Sequence, residues 1–285
     1  DDTGDTGDTG DTGDTGDTDP VSLCHEADPL NIPPGWTRTY EITWGGNAGT
    51  EVQTGMGEDY TNNATLAYVV KNALTTTAGD DLTTYDYRSC GTNGEGLWHE
   101  SDANGTANVD FMGLMTIPMP VAIQRRASQP VPYLSDLATL RGTGAWDYTF
   151  NLMTVGSVDI LSFNMPNCSS NGVDQDATCV DVEGLVTAWG EEDVTVPAGT
   201  YTAFKVIDER IEKRSESGSG TIPGLPDLGS LFPFPGFGSS TDVETVSQIW
   251  YVEGLGIVQE LTYDKADLDT PIITRKLVSH TVPVQ

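Results

Sequence analysis

Short runs of alternating apolar and polar residues fill the chain from residue 20 to its end, and clusters of Gly, Asn, Asp and Pro separate them. β-branched and aromatic residues predominate in these runs, whereas the 3.6-residue period of an amphipathic helix is scarce. The pattern predicts an all-β fold with mainly antiparallel strands. The strands predicted before residue 190 cover residues 37–44, 65–71, 83–88, 96–100, 109–115, 145–153 and 180–189.

The clearest strand pair lies on either side of residue 198. Residues 192–196 form one predicted strand, Pro197-Ala198-Gly199 a tight turn, and residues 200–213 a long returning strand. Proline fixes φ in such a turn, and glycine takes the position that a Cβ would obstruct. The remaining predicted strands are residues 248–252, 256–263 and 274–282.

Regular short strands without helical crossovers predict a single β domain over residues 20–285. Its architecture is an antiparallel half-barrel, barrel or sandwich. A Gly/Pro/Ser-rich insertion at residues 215–242 separates two strands that should be neighbours, and 16 of its 28 residues are Gly, Pro or Ser. Long loops of this kind are functional or disordered. The insertion is a lid over the sheet, a docking segment or a disordered loop, and its three phenylalanines are candidate binding residues: Phe232, Phe234 and Phe237.

Residues 1–19 are an Asp-Thr-Gly repeat outside this domain. They contain eight aspartates and no apolar side chain, so they cannot bury enough surface to offset the entropy of ordering. We predict a disordered or extended tether, because like charges at every third residue keep a chain extended. A collagen-like strip is the alternative, since glycine recurs with the same period. The repeat lacks the buried pair of carboxylates that an aspartic protease needs, although that family also contains Asp-Thr-Gly.

The net charge excludes several partners. The chain has 43 acidic and 13 basic residues, a formal charge of −30. Such a surface repels phosphate backbones and anionic lipids, so we expect no nucleic-acid binding. The longest apolar stretch, residues 109–123, is too short to cross a bilayer and is interrupted by prolines. Membrane contact is therefore expected only through a lipid anchor that this chain does not contain, and the chain reads as a mature product whose targeting segment has been removed.

Cysteine usage favours an extracytoplasmic location, at the cell surface, in the periplasm or secreted. The four cysteines form no CxxC pair, and the three histidines are scattered, so a zinc site is not expected. An even number of cysteines favours two disulfides in an oxidising compartment. Three pairings are possible, and we prefer the local pair Cys168–Cys179 together with Cys24–Cys90.

Two segments resemble a signature of uncharacterised bacterial envelope proteins, many of them lipoproteins. They are Val194-Thr-Val-Pro-Ala-Gly-Thr-Tyr201 and Ile249-Trp-Tyr-Val-Glu-Gly-Leu-Gly-Ile-Val258. The resemblance extends from Trp36 to the end of the chain and implies a curved antiparallel sheet similar to periplasmic lipoprotein carriers. In those carriers a concave apolar face holds an acyl chain. Five tryptophans are candidates to line such a face, with core filling as the alternative: Trp44, Trp98, Trp146, Trp189 and Trp250.

Catalytic motifs are nearly absent from the sequence, so we expect no enzyme and no cofactor. It contains no G-x-S-x-G elbow, no H-E-x-x-H helix and no phosphate-binding loop. Oxygen-bearing side chains at Asp102, Asn104 and Asp110 resemble a calcium loop, but the terminal bidentate glutamate is missing. An Asn-Gly turn at residues 104–105 is the simpler interpretation.

Two functions remain. The first is a non-enzymatic envelope or surface protein, a tethered β domain that binds an apolar ligand or a protein partner. The second is a structural subunit of an extracellular assembly, in which residues 1–19 and 215–242 make the subunit contacts of a homo-oligomer.

Overall fold

The computed structural model describes residues 35–45, 47–56, 60–62, 65–91, 95–111, 115–142, 144–158, 177–214 and 242–282. These residues form thirteen β-strands and one short helix. In chain order the elements are β1 Thr37–Trp44, β2 Asn47–Gly55, β3 Tyr60–Asn62, β4 Thr65–Thr76, β5 Asp81–Cys90, β6 Gly96–Phe111, β7 Met115–Leu134, α1 Leu137–Arg141, β8 Ala145–Val158, β9 Ala177–Val196, β10 Gly199–Arg214, β11 Val243–Val252, β12 Gly256–Asp264 and β13 Asp267–His280.

The strands form one sheet that closes on itself. Strands that follow one another in the chain are neighbours in the sheet, and β13 returns to pair antiparallel with β1. β2 pairs with β4, with Gly49 opposite Thr76 and Gly55 opposite Val70, so that β3 lies outside the ring. The remaining 12 of the 13 strands form a closed up-and-down barrel. The prediction of an all-β antiparallel domain is confirmed, and the sheet is a barrel rather than a half-barrel or a sandwich.

Barrel closure corrects one expectation. The resemblance to lipoprotein carriers implied an open sheet with an accessible concave face. The β2–β4 and β1–β13 pairings join the edges that such a sheet would leave free. The concave face is therefore the interior of a barrel, where the described residues include two packed clusters of side chains.

Most predicted strands are present, often with longer bounds, but the prediction of residues 109–115 as a separate strand is wrong. β6 continues through Gly105 to Phe111, and β7 begins at Met115. Gly105 has a φ of +146°, and a Cβ there would lie 2.0 Å from the carbonyl oxygen of Asp81 on β5. The glycine that indicated a turn is instead needed for close approach between two strands.

β7 contains four prolines, and its pairing shows why they are tolerated. β7 pairs with β8 only from Val121 to Ala127 among the described residues. Pro130 and Pro132 lie beyond this stretch, where a proline on one strand edge removes no ladder hydrogen bond. The side chain of Gln129 donates to the Thr149 carbonyl oxygen at 2.7 Å and bridges the two strands there.

Two clusters of buried residues form the core. The first lies at the end of the barrel where β1 begins and β7 ends, which we call the helix end because α1 follows β7. Here Val194 and Val196 at the tip of the β9–β10 hairpin join Trp36, Leu255 and Leu277. The second cluster is centred on β8, β9 and β10 and includes Leu140 of α1, with these further members: Tyr148, Phe150, Val180, Val182, Phe204 and Val206.

Candidate functional site

The barrel interior contains charged side chains as well as apolar ones. Arg38 of β1 is 2% exposed, and Gln53, directly opposite on β2, is 4% exposed. One guanidinium nitrogen of Arg38 donates to the Leu255 carbonyl oxygen at 3.0 Å, across the helix end. Residues two positions apart in a strand point to the same face. Arg38 is two positions from the buried Tyr40, so its side chain also points into the barrel. The interior therefore combines apolar packing with fixed charges.

Arg275 is the centre of one partly buried ion-pair network. Its guanidinium contacts the carboxylates of Glu51 and Glu260 and lies 4.0 Å from the centre of the Tyr40 ring. Burial raises the pKa of Glu260, while the nearby Arg275 opposes this shift. Burial lowers the pKa of Arg275, but Glu51, Tyr40 and Glu260 together raise it above its usual value. The network connects the first two strands of the barrel to the last two.

A second network lies under β8 and β10. The Tyr148 hydroxyl donates to both carboxylate oxygens of Asp208, at 2.9 and 3.0 Å, and Arg210 pairs with Glu212 at 2.8 Å. Burial raises the pKa of Asp208 and also that of Tyr148. Burial lowers the pKa of Arg125 on β7 to about 10. The hydrogen bonds from Tyr148 to Asp208 connect β8 to β10, and the carboxylate acceptor makes them charge-assisted.

A small cavity lies inside the barrel near the helix end. Three of its nine lining residues are arginines and none is acidic. The lining residues are Arg38, Gln53, Arg88, Tyr133, Leu134, Tyr251, Gly256, Ile257 and Arg275. The space has room for about one or two water molecules, which is far less than an acyl chain needs.

The outer surface presents a different feature on β9. Trp189 is 62% exposed and Leu185 is 47% exposed. The pairing of β9 with β10 shifts register between Lys205 and Val206, which pair with Gly190 and Ala188. Trp189 is therefore the extra residue of a β-bulge, and Gly190 beside it has a φ of +118°. Trp189 follows the buried Ala188 in the alternation of β9, so its indole faces solvent beside the bulge.

The five predicted tryptophans do not line one common face. Trp250 is buried in the first core cluster, with its indole nitrogen donating to Glu192 at 2.7 Å. Trp98 and Trp146 pack against the second cluster. Trp44 lies at the end of β1, where a Cβ on Gly49 would come 3.3 Å from its ring, and Trp189 faces solvent. A ligand-binding role for any of them stays a prediction.

The other predicted site residues fall into two groups. The following lie outside the described residues: the repeat at 1–19, Cys24, Cys168, and residues 215–241 of the insertion with Phe232, Phe234 and Phe237. Cys90 ends β5 and is disulfide-bonded. The pairing of the four cysteines stays a prediction.

The candidate calcium residues lie within β6, so the loop and the Asn-Gly turn expected there are absent. Asp102 accepts a hydrogen bond from the Tyr87 hydroxyl at 3.3 Å, which is a structural contact between neighbouring strands. In the described part of the chain no cluster of three or more His, Cys, Asp or Glu side chains is arranged to hold a metal ion. Calcium binding stays a prediction.

Sequence reasoning did not identify the arginine-lined cavity. Its arginines come from β1, β5 and β13, which are far apart in the chain. One local signal could have indicated an inward-facing arginine: Arg38 alternates with two aromatic residues in the sequence Trp36-Thr-Arg38-Thr-Tyr40. A hydrogen-bonded pair of Ser89 and His99 was also missed, with 2.7 Å between Oγ and Nε2. Both residues are buried, and burial lowers the pKa of His99.

The fold resembles that of a solved bacterial protein. A Bacteroides fragilis protein of YmcC-like fold, predicted to be exported, superposes with a TM-score of 0.50 at 12% identity, covering 88% of this chain and 97% of that one. The chain is similar to that protein in fold. A Parabacteroides distasonis protein predicted to be a lipoprotein aligns at 11% identity with a TM-score of 0.36, covering 87% of this chain and 95% of that one. No family model and no curated protein sequence matches the chain. Within its described residues, no helix has the length and apolar character that crossing a membrane requires.

Proposed function

We propose that this chain is a non-enzymatic, exported protein of the bacterial envelope whose barrel binds a protein partner through the outer face of β9. The observation that carries the proposal is Trp189, an indole held 62% exposed on a β-bulge. Tryptophan is enriched among the residues that dominate binding energy at protein interfaces, and here it lies on the same strand face as the exposed Leu185. We define the β9 surface as Leu185 and Trp189 together with the charged residues Glu183 on β9 and Glu209 on β10.

The size of the described cavity favours a protein partner over an apolar ligand. The tips of β9 and β10 pack over the helix end, and arginines and aromatic rings occupy the interior beneath. A ligand with an acyl chain would have to displace buried ion pairs, such as that of Arg275 with Glu51. Removing one member of such a pair is strongly unfavourable.

The charge of the molecule indicates the chemistry of the partner. The chain carries a formal charge of −30. Glu183 and Glu209 lie on the two strands that form the β9 surface, where Lys213 and Lys265 pair with them. A partner with an apolar pocket surrounded by basic residues would fit this surface, because opposite charges steer association and suppress incorrect partners. Two copies of this chain would instead repel each other.

The envelope location rests on three supports. The Asp-Thr-Gly repeat suits a tether, Cys90 is disulfide-bonded, and the B. fragilis protein with a similar fold is predicted to be exported. Disulfides persist in oxidising compartments outside the cytoplasm. We therefore place the barrel outside the cytoplasm, held away from its attachment point by residues 1–19.

Native mass spectrometry of the protein purified from its source, without reducing agent, tests this proposal. We expect a monomer of the chain without releasable apolar mass, accompanied at low salt by a complex with a second protein. A Trp189→Ser variant should lose that complex, whereas Leu268→Ser, which removes an equally exposed apolar residue on β13, should keep it. Apolar mass on the monomer, or a ladder of multiples of the chain, would contradict the proposal and indicate a carrier or a structural subunit.

A further inference from the structure

The small cavity at the helix end is unusual for its charge. The chain has only 13 basic residues against 43 acidic ones, yet three arginines line this one space and no acidic residue does. Carboxylates outside the lining contact two of these arginines: Asp86 pairs with Arg88 at 2.9 Å, and Glu51 and Glu260 both pair with Arg275. The charged residues that line the cavity itself are therefore all cationic, and apolar residues such as Leu134 and Ile257 complete its wall.

Each of the three guanidiniums is held in place by an aromatic ring. The guanidinium carbon of Arg38 lies 4.4 Å from the centre of the Trp36 ring. The corresponding distance is 5.0 Å from Arg88 to Tyr133 and 4.0 Å from Arg275 to Tyr40. Stacked guanidiniums lose little freedom when an anion binds, so the ordering cost of binding is already met by the fold.

We propose that this cavity binds a small monovalent anion of about the size of chloride. The space holds about one or two water molecules, which excludes phosphate esters and fatty acids but accommodates a halide ion. The Nε atom of Arg275 is buried and has no hydrogen-bond partner among the described residues, so a donor remains for the anion. Gln53 adds a buried amide beside Arg38 on the neighbouring strand, and its nitrogen also donates to Glu51 at 2.8 Å.

The location suggests what the anion does. It would lie between β1, β5, β12 and β13 and connect the strands that begin and end the domain. Anion binding to the folded state alone stabilises that state in proportion to the logarithm of anion concentration. The bound anion would thus be a structural component of the barrel, independent of partner binding on β9.

Bromide provides a direct test on the unmodified protein. Crystals soaked in sodium bromide should show an anomalous peak in the cavity, because bromide substitutes for chloride. Surface peaks without a peak in the cavity at saturating bromide would overturn the proposal.

Thermal unfolding supplies a second test. Sodium chloride and sodium bromide should raise the midpoint more than sodium gluconate at equal ionic strength, because gluconate is too large for the cavity, while all three salts screen the charge of −30. Equal effects of the three salts would overturn the proposal.

A matched pair of variants assigns the effect to the cavity. Arg88→Gln should weaken the apparent halide affinity by about tenfold, because it removes one charge-assisted donor. Arg141→Gln, an exposed arginine at the same end that does not line the cavity, should leave the affinity unchanged. Equal halide affinity in the two variants would contradict the assignment. If Arg88→Gln does not fold, the bromide soak and the comparison of chloride, bromide and gluconate on the unmodified chain still test whether the cavity binds a halide.

Discussion

Individual glycines in this barrel make room for aromatic rings. A Cβ on Gly184 of β9 would lie 2.1 Å from a ring carbon of Tyr148, and a Cβ on Gly55 would lie 2.1 Å from the indole nitrogen of Trp36. A glycine inside a predicted strand indicates that another group packs closely against the backbone there, and such glycines can be read from the sequence. Which ring approaches depends on the register of neighbouring strands, here Tyr148 opposite Gly184, and the sequence does not show that.

Gly184→Ala should destabilise the barrel. The added methyl group would displace the Tyr148 ring and disturb its hydrogen bonds to Asp208. Overpacking of this kind costs about 1–3 kcal/mol. Urea unfolding measures the loss, and Tyr148→Leu should reduce the cost of Gly184→Ala when the two are combined. Full additivity of the two substitutions would show that the ring is not the cause.

Asp208→Asn should change how stability depends on pH. Burial raises the pKa of Asp208 in the folded state, so the folded state binds its proton more tightly than the unfolded state does. The stability that this group contributes is complete below its ordinary pKa, about 4, and is lost as the pH rises through the folded-state value. The variant should therefore gain stability relative to the native chain as the pH rises above about 4. A difference that is independent of pH in urea unfolding would contradict the assignment.

At the scale of elements, local signals predicted the later strands best. The turn at Pro197-Ala198-Gly199 separates β9 from β10 as predicted, and Gly199 has a φ of +145°. β2 was missed because its sequence, Asn-Ala-Gly-Thr-Glu-Val-Gln-Thr-Gly, is polar and glycine-rich. β7 was missed because prolines interrupt its apolar pattern, and α1 because five residues are too few to show a helical period. Tertiary pairing, rather than propensity, forms these elements.

Asp136→Ala tests the start of α1. Asp136 caps the helix by accepting hydrogen bonds from the Thr139 amide at 2.9 Å and the Thr139 hydroxyl at 2.7 Å. Loss of such a cap costs about 1 kcal/mol. The hydrogen bond from the Thr139 hydroxyl is the main cause that lowers the pKa of Asp136, so its contribution is present above about pH 4 and is lost as the pH falls through the lowered value.

Urea unfolding at pH 7 and at pH 2 should show the cost of Asp136→Ala at the higher pH and a smaller cost at the lower one. Asp147→Ala, on the exposed side of β8, is the matched control and should have little effect at either pH. An equal cost at both pH values would contradict the capping account.

At the scale of the whole molecule, closure is the property that the sequence left open. Half-barrel, barrel and sandwich share the same short antiparallel strands and differ only in which edges meet. Two strand pairings close this sheet into a barrel: β2 pairs with β4 rather than with β3, and β13 pairs with β1. The Arg275 network lies beside the second contact and connects β13 to β2 and β12. Neither contact has a local signature, because each joins segments that are not consecutive in the chain.

Arg275→Met should weaken this closure. The substitution leaves Glu51 and Glu260, which are only partly exposed, without their cation. Breaking a fully buried pair costs about 3–5 kcal/mol, and partial exposure should place the loss here at or below the lower end of that range. Hydrogen exchange should rise in β1 and β13 more than in β6. Arg126→Met, which removes an exposed partner of Glu100, should cost less than about 1 kcal/mol. Equal costs for the two variants would contradict the role of the network.

The account as a whole assigns binding to the outside of the barrel, and photo-crosslinking from position 189 in intact cells tests that claim most directly. A photoreactive amino acid at Trp189 should form one predominant adduct with a second protein, and an excess of the purified native domain, but not of its Trp189→Ser variant, should suppress that adduct. The same group at Leu268 should give no such adduct. Absence of a competable adduct from position 189, or an equal adduct from position 268, would contradict a binding surface on β9.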